Sequence, residues 1–386
     1  MAKQTAEFDI IVYGASGFTG RLVAEYLAAR GITRWAMGGR SLTKLTEVRD
    51  EMGLPAETPL VVANSDDPAS LELMCARTRV VITTVGPYQL YGPQLVAACA
   101  KTGTDYVDLC GEPAWMREMI DAHDARAKET GARIVFSCGF DSIPFDLGVW
   151  FLQQEANKRH GKPAPRVKGR VRKMQGGASG GTIASLTETM KAAAKNPKII
   201  GILKSSFGLT PGFEGPAQPS GLMPEYDSAT GTWTAPFVMA PINTKNVHRS
   251  NFLLGHPYGR DFVYDEMMMT TIGDAGRAMA EAIAKANPFG DAKILPGDGP
   301  SKEERENGFY DVLFIGEYPD GTSVRVSVSG DKDPGYGSTS KMISESALTL
   351  LETDTPGGVT TPGAVMAAPL LTRLEKNAGL TFLVEG

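Results

Sequence analysis

A glycine-rich segment near the start of the chain has a spacing that suits the binding of a diphosphate. Residues 14–20 read GASGFTG and follow a short apolar run, residues 9–13 (DIIVY), that predicts a buried parallel strand. Gly14 would permit the tight turn out of this strand, Gly17 would let the backbone approach the phosphates, and Gly20 would let the next helix pack closely. The helix N-terminus attracts a diphosphate through its free N–H groups and its dipole. The segment therefore predicts a dinucleotide site.

The residues after the second strand indicate which dinucleotide binds. Sites for NAD usually carry an acidic residue about 20 positions further along, which holds the ribose 2′-hydroxyl. Here residues 38–41 read GGRS, and Lys44 follows one helical turn later. Arg40 would attract a 2′-phosphate and fork onto it, and Ser41 would add a hydroxyl donor. The sequence therefore predicts NADP(H) rather than NAD(H).

Further residues follow the third and fourth strands, at the carboxyl edge where sheets of this kind bind ligands. Asn64 and Ser65 come after the third strand, and we expect them to touch the adenine. The fourth strand is followed by the sequence TVGPY. The backbone there would turn towards the cofactor at Val85, Gly86 and Pro87.

The elements that must position these residues alternate between strand and helix through the first third of the chain. Six apolar runs predict strands, at residues 9–13, 35–38, 60–63, 80–84, 106–109 and 133–137. Helix signals lie between them, such as Asp67-Pro68, which predicts an N-cap followed by proline at the first helical position. This alternation favours an α/β fold with a doubly wound, Rossmann-type parallel sheet.

The pattern changes beyond residue 148, where strands are grouped together. Residues 166–174, 310–317 and 322–329 are predicted strands, which favours a second α+β domain with a largely antiparallel sheet. We therefore expect three parts of the chain. They are an NADP-binding Rossmann domain at 1–148, a substrate domain at 149–337 with a long loop at 209–251, and C-terminal helices at 338–386 that pack back on the first domain.

Composition excludes several classes of protein. The chain has 386 residues, a formal charge of −5, 42% apolar residues and 22% charged residues, which is an ordinary globular composition. The acidic balance gives no basic footprint for nucleic acid, and no apolar run of about 18 residues could cross a membrane. The N-terminus has no apolar signal segment, and the four cysteines and four histidines lack metal-ligand spacing. We expect a cytoplasmic protein without a metal; a homodimer and peripheral membrane contact stay open.

Motifs along the whole chain resemble the saccharopine dehydrogenase-like oxidoreductases, and within them the trans-acting enoyl reductase branch. In the first half they are YGASGFTG, GGRS, TTVGPYQLYG, DLCGE and GFDSIPFDLG; GGASGGT and SGDKDPGYGSTSKM continue the resemblance in the second half. The resemblance implies an enzyme that uses NADPH to reduce an α,β double bond on an acyl chain carried as a thioester. It also implies cofactor contacts for Gly14, Ser16, Gly17, Phe18, Thr19, Arg40, Gly86 and Pro87.

Such a reduction needs donors for the enolate charge and a proton for the α-carbon. The candidate catalytic residues are Tyr88, Tyr91, Asp141 and Tyr258. Aromatic packing would explain the tyrosines at 88 and 91 equally well, and a helix N-cap would explain Asp141. A short-chain-dehydrogenase mechanism is not expected, because no tyrosine is followed by lysine at the fourth position.

Two segments of the second half could bind a phosphate or an acidic partner. A second glycine loop, residues 176–182 (GGASGGT), precedes a predicted helix and could hold an anion, or it could be a tight turn at the domain cleft. Five basic residues are grouped at 166–173. This strand face could meet an acidic acyl carrier or coenzyme A, or it could simply be solvated.

The sequence thus favours an NADPH-dependent reductase acting on a carbon–carbon double bond. Its substrate would be an enoyl thioester or a lipid or isoprenoid-like molecule, either free or bound to a carrier. Two alternatives stay open: a saccharopine-type amine or imine dehydrogenase, and a lipid-associated protein that binds NADP(H) without turnover.

Overall fold

A computed structural model of the chain describes residues 6–176, 180–286 and 299–386, without the side chains of residues 180–183 and 186. Two seven-stranded sheets organise these residues. All neighbouring strands of the first sheet are parallel. In spatial order they are β13 (Gly358–Thr360), β6 (Arg133–Val135), β5 (Asp105–Val107), β4 (Thr78–Thr83), β1 (Phe8–Tyr13), β2 (Trp35–Gly39) and β3 (Leu60–Val62).

The order of β1 to β6 is that of a doubly wound sheet, and the chain changes direction across the sheet between β1 and β4. Ile10, Ile11 and Val12 in β1 are fully buried, because helices cover both faces. Those helices are α1 (Phe18–Ala29), α2 (Leu42–Glu51), α3 (Pro68–Ala76), α4 (Tyr88–Tyr91), α5 (Pro93–Thr102) and α6 (Pro113–Thr130). Ligands of such sheets bind beyond the carboxyl ends of β1 and β4.

Local sequence signals set several of these helix ends. The Asp67 carboxylate accepts the N–H groups of Ala69 and Ser70 at 3.1 and 3.4 Å, so Asp67 is the N-cap of α3 as predicted. Gly103 and Gly131 end α5 and α6 in the left-handed region, with φ of +76° and +78°.

Helix α7 (Ile143–His160) leads to the second sheet, in which every pairing is antiparallel except that of β7 with β10. In spatial order its strands are β14 (Leu380–Glu385), β12 (Ser323–Gly330), β11 (Phe309–Glu317), β7 (Arg166–Gln175), β10 (Val263–Met269), β9 (Thr232–Pro236) and β8 (Glu225–Asp227). Val324, Val326 and Val328 share the buried face of β12. The predicted doubly wound sheet and the second, largely antiparallel sheet are both confirmed.

The remaining helices surround or connect the two sheets. They are α8 (Gly180–Lys195), α9 (Pro197–Lys204), α10 (Ala240–Leu253), α11 (Gly273–Lys285), α12 (Lys302–Asn307), α13 (Thr339–Glu352), α14 (Pro362–Val365) and α15 (Ala367–Arg373), with π-helical turns at Pro334–Ser338 and Leu374–Ala378. Among the described residues, no helix combines the length and the apolar character that a membrane crossing requires.

The prediction of a long loop at residues 209–251 is wrong. This segment contains β8, β9 and most of α10. Its helix was missed because α10 is buried on nearly all sides, including its polar residues Asn243, Asn246 and Ser250, so it shows no contrast between an apolar and a polar face.

The C-terminal part contributes more than helices. Helix α13 packs on α1 and on β4, but β13 also adds a seventh strand to the parallel sheet beside β6, and β14 pairs with β12 at the edge of the second sheet. The end of the chain therefore belongs to both sheets. The domain boundaries at residues 148 and 337 stay predictions.

The basic cluster at 166–173 is neither a solvated face nor a free docking surface. Four of its five cations pair with carboxylates on other strands of the second sheet: Arg166 with Asp265, Lys168 with Asp227 and Glu317, Arg170 with Asp227 and Asp265, and Arg172 with Asp311 and Glu385. Arg170 is fully buried between its two partners. Because these charges are compensated within the sheet, the cluster offers little attraction to an acidic carrier.

A buried carboxylate joins the C-terminal part to α1. Glu345 on α13 is fully buried and accepts hydrogen bonds from the Tyr26 hydroxyl at 2.8 Å, from Arg30 Nε at 3.2 Å and from Arg373 Nε at 2.8 Å. Removal of the charge would leave these donors without an anion at a position where the carboxylate itself is fully buried.

We expect Glu345→Gln to lower the free energy of unfolding by about 3 kcal/mol, because it breaks a buried ion pair. The matched control is Glu352→Gln, which removes the second carboxylate partner of Arg373 at a side chain that is 65% exposed. That control should change stability by less than about 0.5 kcal/mol. Urea unfolding measures both values, and equal losses would show that Glu345 does not hold the two parts together.

Candidate functional site

The turn after β1 has the geometry that the glycine spacing predicts. Gly14 has a φ of +92°, and its N–H donates to the Gly38 carbonyl at 2.9 Å. A β-carbon on Gly20 would lie 2.1 Å from the Gly14 carbonyl oxygen, so only glycine lets α1 approach this turn. A β-carbon on Gly17 would meet nothing nearer than 3.4 Å, which leaves that side of the loop open.

Gly17 is the N-cap of α1, and no side chain caps this helix end. The first N–H groups of α1, from Phe18 onwards, therefore have no partner within the helix. This combination of an open loop and uncapped donors fits a diphosphate group. Ser16 and Thr19 belong to the same turn and first helical residues.

The end of β2 presents a cation to the neighbouring position. Arg40 is exposed and makes no ion pair with a described residue. Ser41 is the N-cap of α2, where its Oγ accepts the Lys44 N–H at 3.3 Å, and the hydroxyl proton stays free to donate. Lys44 Nζ lies 3.3 Å from Glu47 in an exposed contact. The donor set fits a 2′-phosphate, with Arg40 as its only unpaired cation.

Asn64 and Ser65 follow β3 at the same edge. The Asn64 side-chain oxygen accepts the Asp66 N–H at 3.3 Å, which fixes the turn. Tyr13 contacts Ser65, and burial raises the pKa of the Tyr13 hydroxyl. The structure thus brings Arg40, Ser65 and the end of β1 together, as a pocket for the adenosine half of a dinucleotide would require.

The chain leaving β4 is held by Glu112, which follows β5. One carboxylate oxygen accepts the Tyr88 N–H at 2.8 Å and the other accepts the Gln89 N–H at 2.9 Å. Glu112 is almost completely buried. It therefore fixes the segment of Val85, Gly86 and Pro87 against the ends of β4 and β5.

Asp108, at the end of β5, organises the adjoining turns. Its side chain accepts the Cys110 N–H at 3.0 Å, the Ser137 N–H at 2.9 Å and the Tyr106 hydroxyl at 2.8 Å. Burial raises the pKa of Asp108 to about 7 despite these bonds. Neither Asp108 nor Glu112 was among the predicted site residues, although both belong to the DLCGE motif. The two partners of Glu112 and the Ser137 partner of Asp108 are backbone groups distant in sequence, which no residue spacing reveals.

Tyr88 is a structural residue of this edge. Its hydroxyl donates to the Thr83 carbonyl at 3.3 Å and accepts the Leu109 N–H at 3.1 Å, and its ring packs on Trp115. Burial raises the pKa of the hydroxyl well above its usual value. These bonds occupy the hydroxyl, so the structure argues against Tyr88 as the proton donor.

Asp141 lies in the turn after β6, and its carboxylate is not committed to another group. The N-cap of α7 is Ser142, so the capping explanation for Asp141 is wrong. No other described residue donates a hydrogen bond to this largely buried carboxylate, and burial raises its pKa to about 6. Asp141 Oδ2 lies 3.4 Å from the position that a β-carbon on Gly111 would take, which sets it beside the turn that carries Glu112.

No contact within the described part of the chain joins the other two predicted catalytic residues to this carboxylate. Tyr91, on α4, is 39% exposed. Tyr258 is buried in the apolar core, where it packs on Phe262, and burial raises the pKa of its hydroxyl well above the usual value. None of the contacts described for Tyr258 joins it to the ends of β4, β5 or β6.

Helix α8 covers the chain that leaves β4. Gln89 Nε2 donates to Thr189 Oγ1 at 3.3 Å, and Ser185 Oγ lies 3.9 Å from the position of a β-carbon on Gly86. Of the predicted anion loop before α8, residues 177–179 lie outside the described residues. The site is thus enclosed between the carboxyl edge of the first sheet and an element that follows β7.

Comparison with known proteins shows which family this chain is similar to. Residues 10–135 match the NADP binding domain of saccharopine dehydrogenase. A trans-acting enoyl reductase of Mycobacterium ulcerans is 38% identical over 415 residues, covering 97% of each chain. A Mycobacterium tuberculosis protein that provisionally carries the same name is 41% identical over 407 residues, also covering 97% of each chain.

Among solved structures, the apo saccharopine dehydrogenase (L-Glu forming) of Saccharomyces cerevisiae has a TM-score of 0.55 at 13% identity, and the match covers 98% of this chain and 100% of that chain. That similarity shows a shared fold. The matched NADP binding domain identifies the cofactor of this chain as NADP(H).

We expect Arg40→Ala to weaken NADPH binding by about 10- to 100-fold, because a charge-assisted hydrogen bond to the 2′-phosphate is lost. NADH binding should change by no more than about twofold, since NADH lacks that phosphate. Fluorescence titration measures both dissociation constants. Arg126→Ala, at a side chain that is 53% exposed on α6, is the control for a general loss of positive charge. Equal losses for NADPH and NADH would contradict the role given to Arg40.

We expect Tyr88→Phe to lower the free energy of unfolding by about 1–2 kcal/mol, because the Leu109 N–H loses its acceptor in a buried site. Turnover should persist, whereas a general acid would cost about 100-fold or more. Tyr91→Phe is the matched control, with a stability change below about 0.5 kcal/mol. A catalytic loss in Tyr88→Phe without loss of stability would return Tyr88 to the catalytic residues.

Proposed function

The chain belongs to the trans-acting enoyl reductase family, and on that premise we propose that it reduces the α,β double bond of an enoyl thioester with NADPH and Asp141 as the proton donor. It is an NADP-dependent oxidoreductase, as its family and its NADP binding domain show. The proposal concerns the substrate and the residues. One observation carries it: the Asp141 carboxyl group, which has a pKa of about 6 and receives no hydrogen bond from another described residue, lies beside the turn that carries Glu112.

The reaction requires one hydride, one proton and stabilisation of the negative charge that the enolate carries between the two additions. When bound, NADPH supplies the hydride that adds to the β-carbon of the enoyl group. The electron pair of the double bond then moves towards the thioester carbonyl oxygen and gives an enolate, which needs a proton at its α-carbon. Asp141 in its protonated form would deliver that proton and would regain one from water after product release.

The environment of Asp141 suits this task. A carboxyl group with the usual pKa would be almost fully ionised at neutral pH, whereas burial disfavours the charged form and keeps a fraction protonated. The nearby Glu112 cannot share this role, because both of its oxygens accept backbone N–H groups. The two carboxylates thus have separate tasks, one in holding the chain and the other in proton transfer.

The activity is tested by NADPH oxidation with a panel of an enoyl thioester, an imine and an aldehyde. We expect oxidation with the enoyl thioester and a saturated thioester as product. Turnover of the imine alone would favour an amine dehydrogenase. Stoichiometric binding of NADPH without oxidation of any substrate would contradict the proposed reaction and favour a binding protein.

The pH dependence tests the role of Asp141. Because the protonated carboxyl group is the active form, kcat/KM should be level below about pH 6 and should fall tenfold per pH unit above it. Asp141→Asn should lower kcat by about 100-fold or more and remove this dependence.

The control for that experiment is Glu129→Gln, a charge removal at an exposed site on α6. NADPH should bind to Asp141→Asn with a dissociation constant within about twofold of the unchanged protein, which separates catalysis from folding. Wild-type kcat and an unchanged pH profile in Asp141→Asn would remove Asp141 from the mechanism.

A further inference from the structure

Two adjoining cavities form a groove that leads from the candidate site to the surface. The first, of about 680 Å³, lies between α6 and the pair α8–α9, and its lining includes Gln89 and Glu112 next to the end of β4. The second, of about 420 Å³, shares Arg117 and Ile202 with the first. We call the two together the α6–α9 groove.

The first cavity of the α6–α9 groove has largely apolar walls. Small and apolar side chains line the first cavity: Ala114, Trp115 and Ala122 from α6, Ala192 from α8, and Ile199 and Ile202 from α9. Phe207 and Phe213, whose ring centroids lie 5.7 Å apart, continue this surface in the second cavity. Apolar side chains therefore continue from the first cavity into the second.

Helix α9 leaves Ile199 and Ile202 on this groove instead of burying them. None of its residues is buried, although the sequence PKIIGILK is strongly apolar. Its ends are nevertheless fixed, because Asn196 caps the first turn at 3.1 Å and Lys245 Nζ donates to the Leu203 carbonyl at 2.9 Å. An apolar helix that is held in place but left unburied is suited to contact with an apolar ligand.

The charged residues of the groove disfavour binding of the pantetheine arm, which is the other half of a thioester substrate. The pantetheine arm of coenzyme A or of a carrier ends in a phosphate, which requires cations. Carboxylates outnumber cations in the lining, with Glu112, Glu118, Asp121 and Glu214 against Arg117 and Lys198. Arg117 is already paired with Asp121 at 2.9 Å and bonded to the Gly208 carbonyl at 3.1 Å.

We propose that the α6–α9 groove binds the acyl chain of the substrate and makes the enzyme selective for long-chain enoyl thioesters. This inference rests on the proposed function, since it places the thioester at the inner end, near Gln89. Burial of each methylene in the groove removes apolar surface from water, so affinity rises with chain length until the groove is filled.

The test compares two adjacent isoleucines of α9. Ile199 lines the groove, whereas Ile200 is 40% exposed on the outside of the helix. With enoyl-CoA substrates of four to sixteen carbons, kcat/KM of the unchanged protein should rise at least about tenfold with chain length. Ile199→Trp should lower the long-to-short ratio of kcat/KM at least about tenfold by filling the groove, and Ile200→Trp should keep it.

A binding measurement without turnover separates this inference from the proposed function. A fluorescent long-chain fatty acid should bind to the unchanged protein and to Ile200→Trp, and its binding should weaken at least about tenfold in Ile199→Trp. If the fatty acid binds in this way but no enoyl thioester reacts, the groove stands and the proposed reaction falls. If short and long substrates react equally well, or if phosphopantetheine rather than decanoate displaces the fatty acid, the acyl groove is overturned.

Discussion

The hydrogen bonds that Asp108 accepts at the end of β5 hold together the part of the molecule on which the candidate site depends. Its carboxylate accepts hydrogen bonds from the N–H groups of Cys110 and Ser137 and so fixes the conformation of the turns that follow β5 and β6. The first turn carries Glu112, which fixes the chain after β4, and the second leads to Asp141. Asp108 and Glu112 together thus set the relative positions of three strand ends.

The carboxyl groups of this edge differ because their partners differ. Glu112 and Asp108 accept two and three hydrogen bonds, which commit both carboxylates to holding the chain, although burial still raises the pKa of Asp108 to about 7. Asp141 receives no donor from another described residue, and burial raises its pKa to about 6. A buried acid without partners lowers stability, and such groups are found where proton transfer needs them. Tyr88 is not suited to donate a proton for the same reason, because its hydroxyl already makes two hydrogen bonds.

The sequence predicted the parts of the fold whose signals are local. Short patterns within each segment are enough to predict strands β1 to β6 and the N-cap Asp67. The same holds for the turn formed by Gly14, Gly17 and Gly20. It could not predict β13, because a three-residue strand reads as a strand only when β6 lies beside it. It also missed α10, whose buried polar residues hide its helical face. The ion pairs of the 166–173 cluster could not be predicted either, because their carboxylates come from four strands that are distant in sequence.

Of the candidate site, the sequence indicated the phosphate loop and Asp141. The supporting roles of Asp108 and Glu112 could not be predicted, because they depend on contacts between strand ends.

The chemistry proposed for this edge divides the two added hydrogens between two sources. One comes from the cofactor to the β-carbon, and the other comes through Asp141, which exchanges with water, to the α-carbon. The most direct measurement is the mass and position of deuterium in the product, formed either from NADPH deuterated at C4 or from unlabelled NADPH in deuterated water. We predict one deuterium at the β-carbon in the first case and one at the α-carbon in the second. Deuterium at the thioester carbon, or no transfer from the cofactor, would contradict the reduction of an enoyl double bond.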